Sequence, residues 1–368
     1  MTSRMNQFGE TIFATMTAEA NRRHAINLGQ GFPDESGPQT MLEIAAKEIT
    51  AGNNQYAPGR GLPVLREAIA ADRARRYGET WDPETEILVT VGATEAIAAS
   101  IIALTEPGDE VILLEPYYDS YAAAVALAGG KRVSVTIDPA TGMVDPDELR
   151  RAITPKTKLL VVNSPHNPTG RILNTADIAA VCAECDLTVI ADDVYERLTF
   201  DQPHIPIRSY PGMDERTVTI SSAAKTFSVT GWKTGWVVAH PHLLDPIVQV
   251  KQFLTYVGAT PFQPAIAYGL THESAWVDDM VDQLKHKKDR LAAALTDAGL
   301  TVRPSDGTYF LLADSDLDSF AFLDRYNIAT IPVSAFCDQA HAWDNVLRFT
   351  FCKSEATIEQ AHRWLGPW

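Results

Sequence analysis

Five short apolar runs, at 87–91, 111–114, 158–162, 187–191 and 217–220, recur along the chain with helix-forming segments between them. Runs of four or five β-branched and aliphatic residues with no polar alternation read as strands buried on both faces. Strands that alternate with helices in this way predict a mostly parallel sheet covered on both sides, an α/β fold. Each run ends in residues suited to chemistry or to close backbone approach: Gly92-Ala93-Thr94, Tyr117-Tyr118, Asn167, Asp192 and Lys225. The carboxyl ends of such strands are where α/β sheets take ligands. The convergence predicts one site made from all five.

The 368 residues suffice for one large domain and a smaller one. A net charge of −16 argues against a nucleic-acid partner. No apolar run approaches membrane-spanning length, and the first twenty residues lack the apolar centre of a signal peptide, so a cytoplasmic location is expected. Cys182 and Cys185 form a C-x-x-C, but no second pair or histidine cluster completes a zinc site, so reduced structural thiols are expected and no metal.

Residues 221–236, SSAAKTFSVTGWKTGW, carry two lysines eight positions apart. Lys225 follows a buried strand, where desolvation disfavours the charged amine and frees it to attack a carbonyl. Lys233 lies between glycines on a turn and can reach a phosphate as a point charge. An ordinary surface position is the commoner fate of a lysine. The segment as a whole, S-x-x-K-x-F-x-x-T-G-W-K-x-G-W, resembles the lysine segment of class I aminotransferases, pyridoxal-phosphate enzymes of fold type I. The resemblance extends over nearly the whole chain, through phrases such as NLGQGFPDE, VTVGATEAIAA, VNSPHNPTG and RFTFCK. It is closest to the actinobacterial N-succinyldiaminopimelate aminotransferases and to the kynurenine, glutamine and methionine aminotransferases.

The resemblance implies a large domain with a seven-stranded, mostly parallel sheet between helices, at 36–275. It also implies a smaller α+β domain at 276–368, with 1–35 forming an amino-terminal arm and part of that small domain. It implies that Lys225 carries pyridoxal 5'-phosphate as a Schiff base and that Ser222 and Lys233 contact its phosphate. Many relatives have arginine at the place of Lys233. The strand, small-residue turn and helix start at 87–95 make an anion site of free amides, with Ala93 and Thr94 as the donors. Of three tyrosines at 117–121, Tyr118 is the one spaced to cover the cofactor ring, while Tyr117 and Tyr121 suit packing equally well. The N-P-T-G tetrapeptide implies that Asn167 meets the phenolate oxygen and helps orient the substrate.

A carboxylate at the foot of a buried strand needs a partner. The family's D-x-x-Y pattern pairs Asp192 with the cofactor's ring nitrogen and places Tyr195 near the phenolate oxygen. Gly31 would lie beside the substrate carboxylate and Arg348 would clamp it, since only arginine offers a planar fork. Tyr56, in a Y-x-P-x-x-G loop, would cross to the cofactor phosphate of a second subunit, and Tyr256 would line its side-chain pocket. A homodimer with shared sites follows.

The implied activity moves an amino group between an L-amino acid and a 2-oxo acid in two half-reactions, with Lys225 moving the α-proton. The expected substrate pair is N-succinyldiaminopimelate with glutamate and 2-oxoglutarate, of lysine biosynthesis. The alternative is a kynurenine, glutamine or methionine aminotransferase with β-lyase activity on cysteine conjugates. A succinylated substrate calls for a distal cation, for which Arg60 is the one residue weighed. A non-enzymatic regulator on the same fold would need an appended DNA-binding domain, which the acidic charge disfavours.

Overall fold

The computed structural model describes residues 3–6, 8–9 and 11–366. Positions 1, 2, 7 and 10 of the expected arm, and 367–368 of the expected small domain, lie outside the described residues.

The apolar runs form strands of one seven-stranded sheet: β1 (Ile87–Thr90), β2 (Glu110–Glu115), β3 (Lys131–Thr136), β4 (Thr157–Asn163), β5 (Thr188–Asp192), β6 (Thr217–Ser222) and β7 (Gly235–Val238). Their order is β1-β7-β6-β5-β4-β2-β3, and β7 alone runs against the other six. Successive side chains point to opposite faces, so Val111 and Leu113 enter one core and Ile112 and Leu114 another. Both faces are therefore apolar, which is why these runs read as continuous rather than alternating. Burying each such side chain contributes roughly 1.5–3 kcal/mol. Helix Gly92–Leu104 covers one face and is itself sandwiched by helix Pro241–Leu254.

Two of the seven strands implied by the resemblance were not located among the apolar runs. The sequence of β3, KRVSVT, is polar and half-exposed at the sheet edge, and β7 is only four residues long behind a glycine. Expected boundaries also move. The β6 strand continues through Ser222, and β5 takes in Asp192 itself.

A second, antiparallel sheet has the order Ile331–Pro332, Val346–Thr350, Phe310–Asp314, Thr301–Val302. The strand Phe310–Asp314 begins just past Thr308, which turns the chain at φ 66°. Ile26–Asn27 pairs in parallel with Ile328–Ala329 and so ties the amino-terminal segment to the carboxyl-terminal part. The long helix Ser274–Asp297 links the two sheets in sequence. Ser274 is its first helical residue, and Glu273 occupies the cap without a side-chain bond.

Candidate active site

The carboxyl ends of β1, β2, β4, β5 and β6 open into one cavity of about 500 Å³. Gly31, Ala93, Thr94, Tyr118, Asn167, Asp192, Tyr195, Ser222, Lys225, Lys233 and Arg348 all line it. Eleven of the thirteen residues singled out from the sequence are thus brought together. Tyr56 and Tyr256 are not among the lining residues. They pack edge-on against each other, ring centres 5.2 Å apart, with 80% and 52% of their surfaces exposed.

At one end the first turn of helix Gly92–Leu104 has no side-chain cap, so its amides face the cavity free. Ser222 caps the short helix after β6, its Oγ accepting from Ala224 N and donating to Thr234 O. Lys233 sits in the left-handed region at φ 49°, and its Nζ lies over Gly92. A Cβ at Gly235 would stand 2.8 Å from Gly92 C and 2.9 Å from Ala93 N. The cradle therefore forms only because two backbones touch there. Amides, a hydroxyl and an ammonium around one hollow are the donor set for a phosphate.

At the opposite pole, Asp192 ends β5 with 4% of its surface exposed. Tyr121 donates to Oδ2, and Asn163 Nδ2 donates to the Asp192 carbonyl at 2.7 Å. Burial pushes the Asp192 carboxyl up to about 6, and the Tyr121 bond opposes that rise. Tyr121, left open between stacking and packing by the sequence, is thus a partner of the site carboxylate.

Lys225 follows β6, and burial lowers its amine to about 8. Its Nζ donates to the Tyr309 hydroxyl at 2.6 Å. No motif pointed to Tyr309. Its contact with Lys225 spans 84 positions, and the GTYF stretch reads as ordinary strand.

Arg348 lies at the centre of the strand Val346–Thr350 of the small sheet. Every residue of its strand is buried, and Arg348 itself is 2% exposed. Aromatic rings replace water around it, with Phe310 at 4.0 Å, Phe336 at 4.9 Å and Phe13 at 5.2 Å from the guanidinium carbon. Burial lowers its pKa to about 10. Nη1 donates to Asn167 Oδ1 and Nη2 to the Gly29 carbonyl, each at 2.8 Å, while the buried Nε has no partner among the described residues. An unpaired N–H on a buried arginine is costly unless a ligand takes it. A carboxylate fits.

The residues present fit pyridoxal phosphate. A buried carboxylate, an uncapped cradle and a lysine of lowered pKa line the same cavity. Arg60 offers no distal cation: its guanidinium pairs with Asp245 at 2.6 Å, and it does not line the cavity.

The family profile Aminotransferase class I and II matches residues 23–365. A probable N-succinyldiaminopimelate aminotransferase of Mycobacterium tuberculosis is 50% identical, over 99% of this chain and 97% of that protein. A methionine aminotransferase of Escherichia coli is 40% identical, over 97% and 95% respectively. A solved structure of the N-succinyldiaminopimelate aminotransferase from Mycobacterium tuberculosis superposes with a TM-score of 0.97, covering 99% of both chains.

Proposed function

The chain belongs to the class I and II aminotransferases, which use pyridoxal phosphate, and on that footing we propose which residues carry the reaction and which amino acid it takes. The bound cofactor supplies a carbonyl carbon that condenses with amines and a conjugated ring that accepts electrons.

Lys225 holds the cofactor covalently. The amides of Ala93 and Thr94, the Ser222 hydroxyl and Lys233 hold its phosphate. Asp192 would pair with the ring nitrogen and favour its protonated form. Asn167 and Tyr195 would hold the phenolate oxygen, and Tyr118 would cover the ring. The substrate α-carboxylate pairs with Arg348, beside Gly31 and Asn167. The Lys225 amine would take the α-proton of the bound substrate and give it back, acting as general base and then as general acid. An amine held near pKa 8 has both forms available at neutral pH. The observation that carries this assignment is the cavity itself, with Lys225, Asp192 and the unpaired Arg348 Nε around one space.

For the substrate, the 50% identity to the mycobacterial relative supports N-succinyldiaminopimelate, with glutamate and 2-oxoglutarate as the second pair, in lysine biosynthesis. One observation favours the second reading, a methionine, glutamine or kynurenine aminotransferase with β-lyase activity. Among the described residues lining the cavity, the lysines and arginines are Lys225, Lys233 and Arg348, all assigned above, whereas Phe13, Tyr118 and Phe310 supply aromatic surface. Following the cofactor spectrum against single amino acids, the succinylated diamino acid included, separates the two. Conversion by the succinylated acid alone supports the first. Conversion by methionine, glutamine or kynurenine alone supports the second.

The proposed assembly is a homodimer. The exposed Tyr56–Tyr256 pair offers an aromatic surface suited to a second copy, whose site the two tyrosines complete. The proposed division is a cofactor-binding unit at 36–275 and a smaller unit at 276–368 joined by 1–35. A cytoplasmic location accords with free cysteines and with the lack, among the described residues, of any helix able to cross a membrane.

A further inference from the structure

Tyr309 is in direct contact with Lys225, yet the reading above gives it no task. Its hydroxyl oxygen lies 2.6 Å from Lys225 Nζ and 2.6 Å from the Gly31 carbonyl oxygen. A carbonyl only accepts, so the phenolic proton goes to Gly31. The oxygen lone pairs then face Lys225, which must donate. With 1% of Tyr309 exposed, water does not compete for either bond.

The ring has little freedom to move. The Tyr309 carbonyl accepts from Phe351 N and from Thr350 Oγ1, each at 3.0 Å. The ring meets Tyr195 edge-on at 5.4 Å and Phe310 at 4.8 Å. The residue before it, Thr308, is β-branched and held at φ 66°, a conformation that costs free energy and persists only where surroundings impose it. Gly307 packs so closely that a Cβ would stand 2.5 Å from the Leu198 carbonyl oxygen. The turn is built to deliver one side chain to one place.

We propose that Tyr309 is a positioning residue for Lys225, a hydrogen-bond acceptor of fixed orientation that holds the lysine nitrogen whenever it is not bonded to the cofactor. The proposal rests on the assignment of Lys225 as the proton-transferring amine. A neutral amine has two N–H bonds and one lone pair. When one N–H points at Tyr309, tetrahedral geometry turns the lone pair away from it, toward the cavity. There the substrate Cα–H bond breaks, its proton forming the third N–H bond of Lys225 and its electron pair staying with Cα, from which the conjugated cofactor would draw it. The resulting ammonium still donates to Tyr309, so the same contact also favours the charged form. The bond to Gly31 fixes the phenol proton and joins the lysine to the turn proposed to border the substrate carboxylate.

The other groups facing Lys225 are Asp192 and Cys352, which favour its charge, Arg348 and Lys233, which oppose it, and the ring of Tyr195 at 5.6 Å. Tyr309→Phe leaves all of these and the Tyr309 ring in place and removes one oxygen, which also hydrogen-bonds the Tyr195 hydroxyl. In the cofactor-free protein, acetylation of Lys225 followed by mass spectrometry against pH reports its titration. The midpoint should fall by about half a unit or more, because an acceptor favouring the ammonium is lost. In the holoenzyme, kcat should fall about tenfold with KM changed less than about threefold, and the isotope effect of an α-deuterated donor should rise. A purely structural role would move neither the midpoint nor the isotope effect. If both match the parent while Lys225→Ala is inactive, the role of Tyr309 is overturned and that of Lys225 stands. Should Lys225→Ala keep transaminating, both are overturned.

Discussion

Arg348 Nη1 donates to Asn167 Oδ1 at 2.8 Å and so joins a strand of the small antiparallel sheet to a loop at the end of β4. The guanidinium is oriented before any substrate arrives, with its buried Nε still unpaired. Preorganisation of this kind lowers the ordering cost of binding.

Arg348→Lys removes the planar fork and leaves Asn167 Oδ1 without its donor. The loss should be about 1.5–3 kcal/mol of carboxylate binding, or roughly a ten- to hundredfold weaker affinity for the amino donor. Spectral titration with an unreactive α-methyl amino acid measures it directly. Unchanged affinity would remove Arg348 from the substrate site.

Asp192 is expected to cost the cofactor-free protein stability. Its carboxyl titrates at about 6 when folded, against an ordinary 3.8. The folded state therefore binds this proton more tightly. The stabilisation is complete below about pH 4 and is lost as pH rises through about 6. Asp192→Asn should make the apoprotein more stable at pH 7.5 by on the order of 2–3 kcal/mol, with the gap closing toward pH 4. Urea unfolding at the two pH values tests this, and equal stability at pH 7.5 would count against a strained carboxylate. The same variant should lose transamination, as expected of a residue kept for chemistry rather than for folding.

Much of this was legible before the structure. The runs that became β2, β4, β5 and β6 are apolar on both faces, so they stand out without any periodicity, and residues past their ends line one cavity. The polar β3 escaped because an edge strand can look like loop, and β7 because four residues behind a glycine carry too little pattern. Tyr309 and Tyr121 escaped for a different reason. Their value lies in partners 84 and 71 positions away, and nothing in the local sequence separates such a tyrosine from a packing one.

The phosphate cradle should be intolerant of a single methyl group. At Gly235 a Cβ meets backbone atoms of Gly92 and Ala93 below 3.0 Å, and backbone cannot step aside as a side chain can. Gly235→Ala should weaken pyridoxal-phosphate binding at least about tenfold, with overpacking costing about 1–3 kcal/mol. Equilibrium dialysis of the cofactor checks this, and parental affinity would place the phosphate elsewhere.

The lowered pKa of Lys225 also sets a pH dependence. Only the neutral amine attacks a carbonyl, and burial brings its titration down from 10.5 to about 8. The rate at which apoprotein takes up the cofactor should rise with pH through about 8 and level off above it. Stopped-flow absorbance records this, and a midpoint near 10.5 would mean a solvated lysine.

Replacement of Lys225 by alanine, followed by an absorption spectrum with pyridoxal phosphate and an assay of transamination, bears on all of this most directly. Both the visible band of lysine-bound cofactor and the transamination should vanish together. A variant that retains near-normal turnover would contradict the assignment of Lys225, and with it the reading of the cavity as the catalytic site.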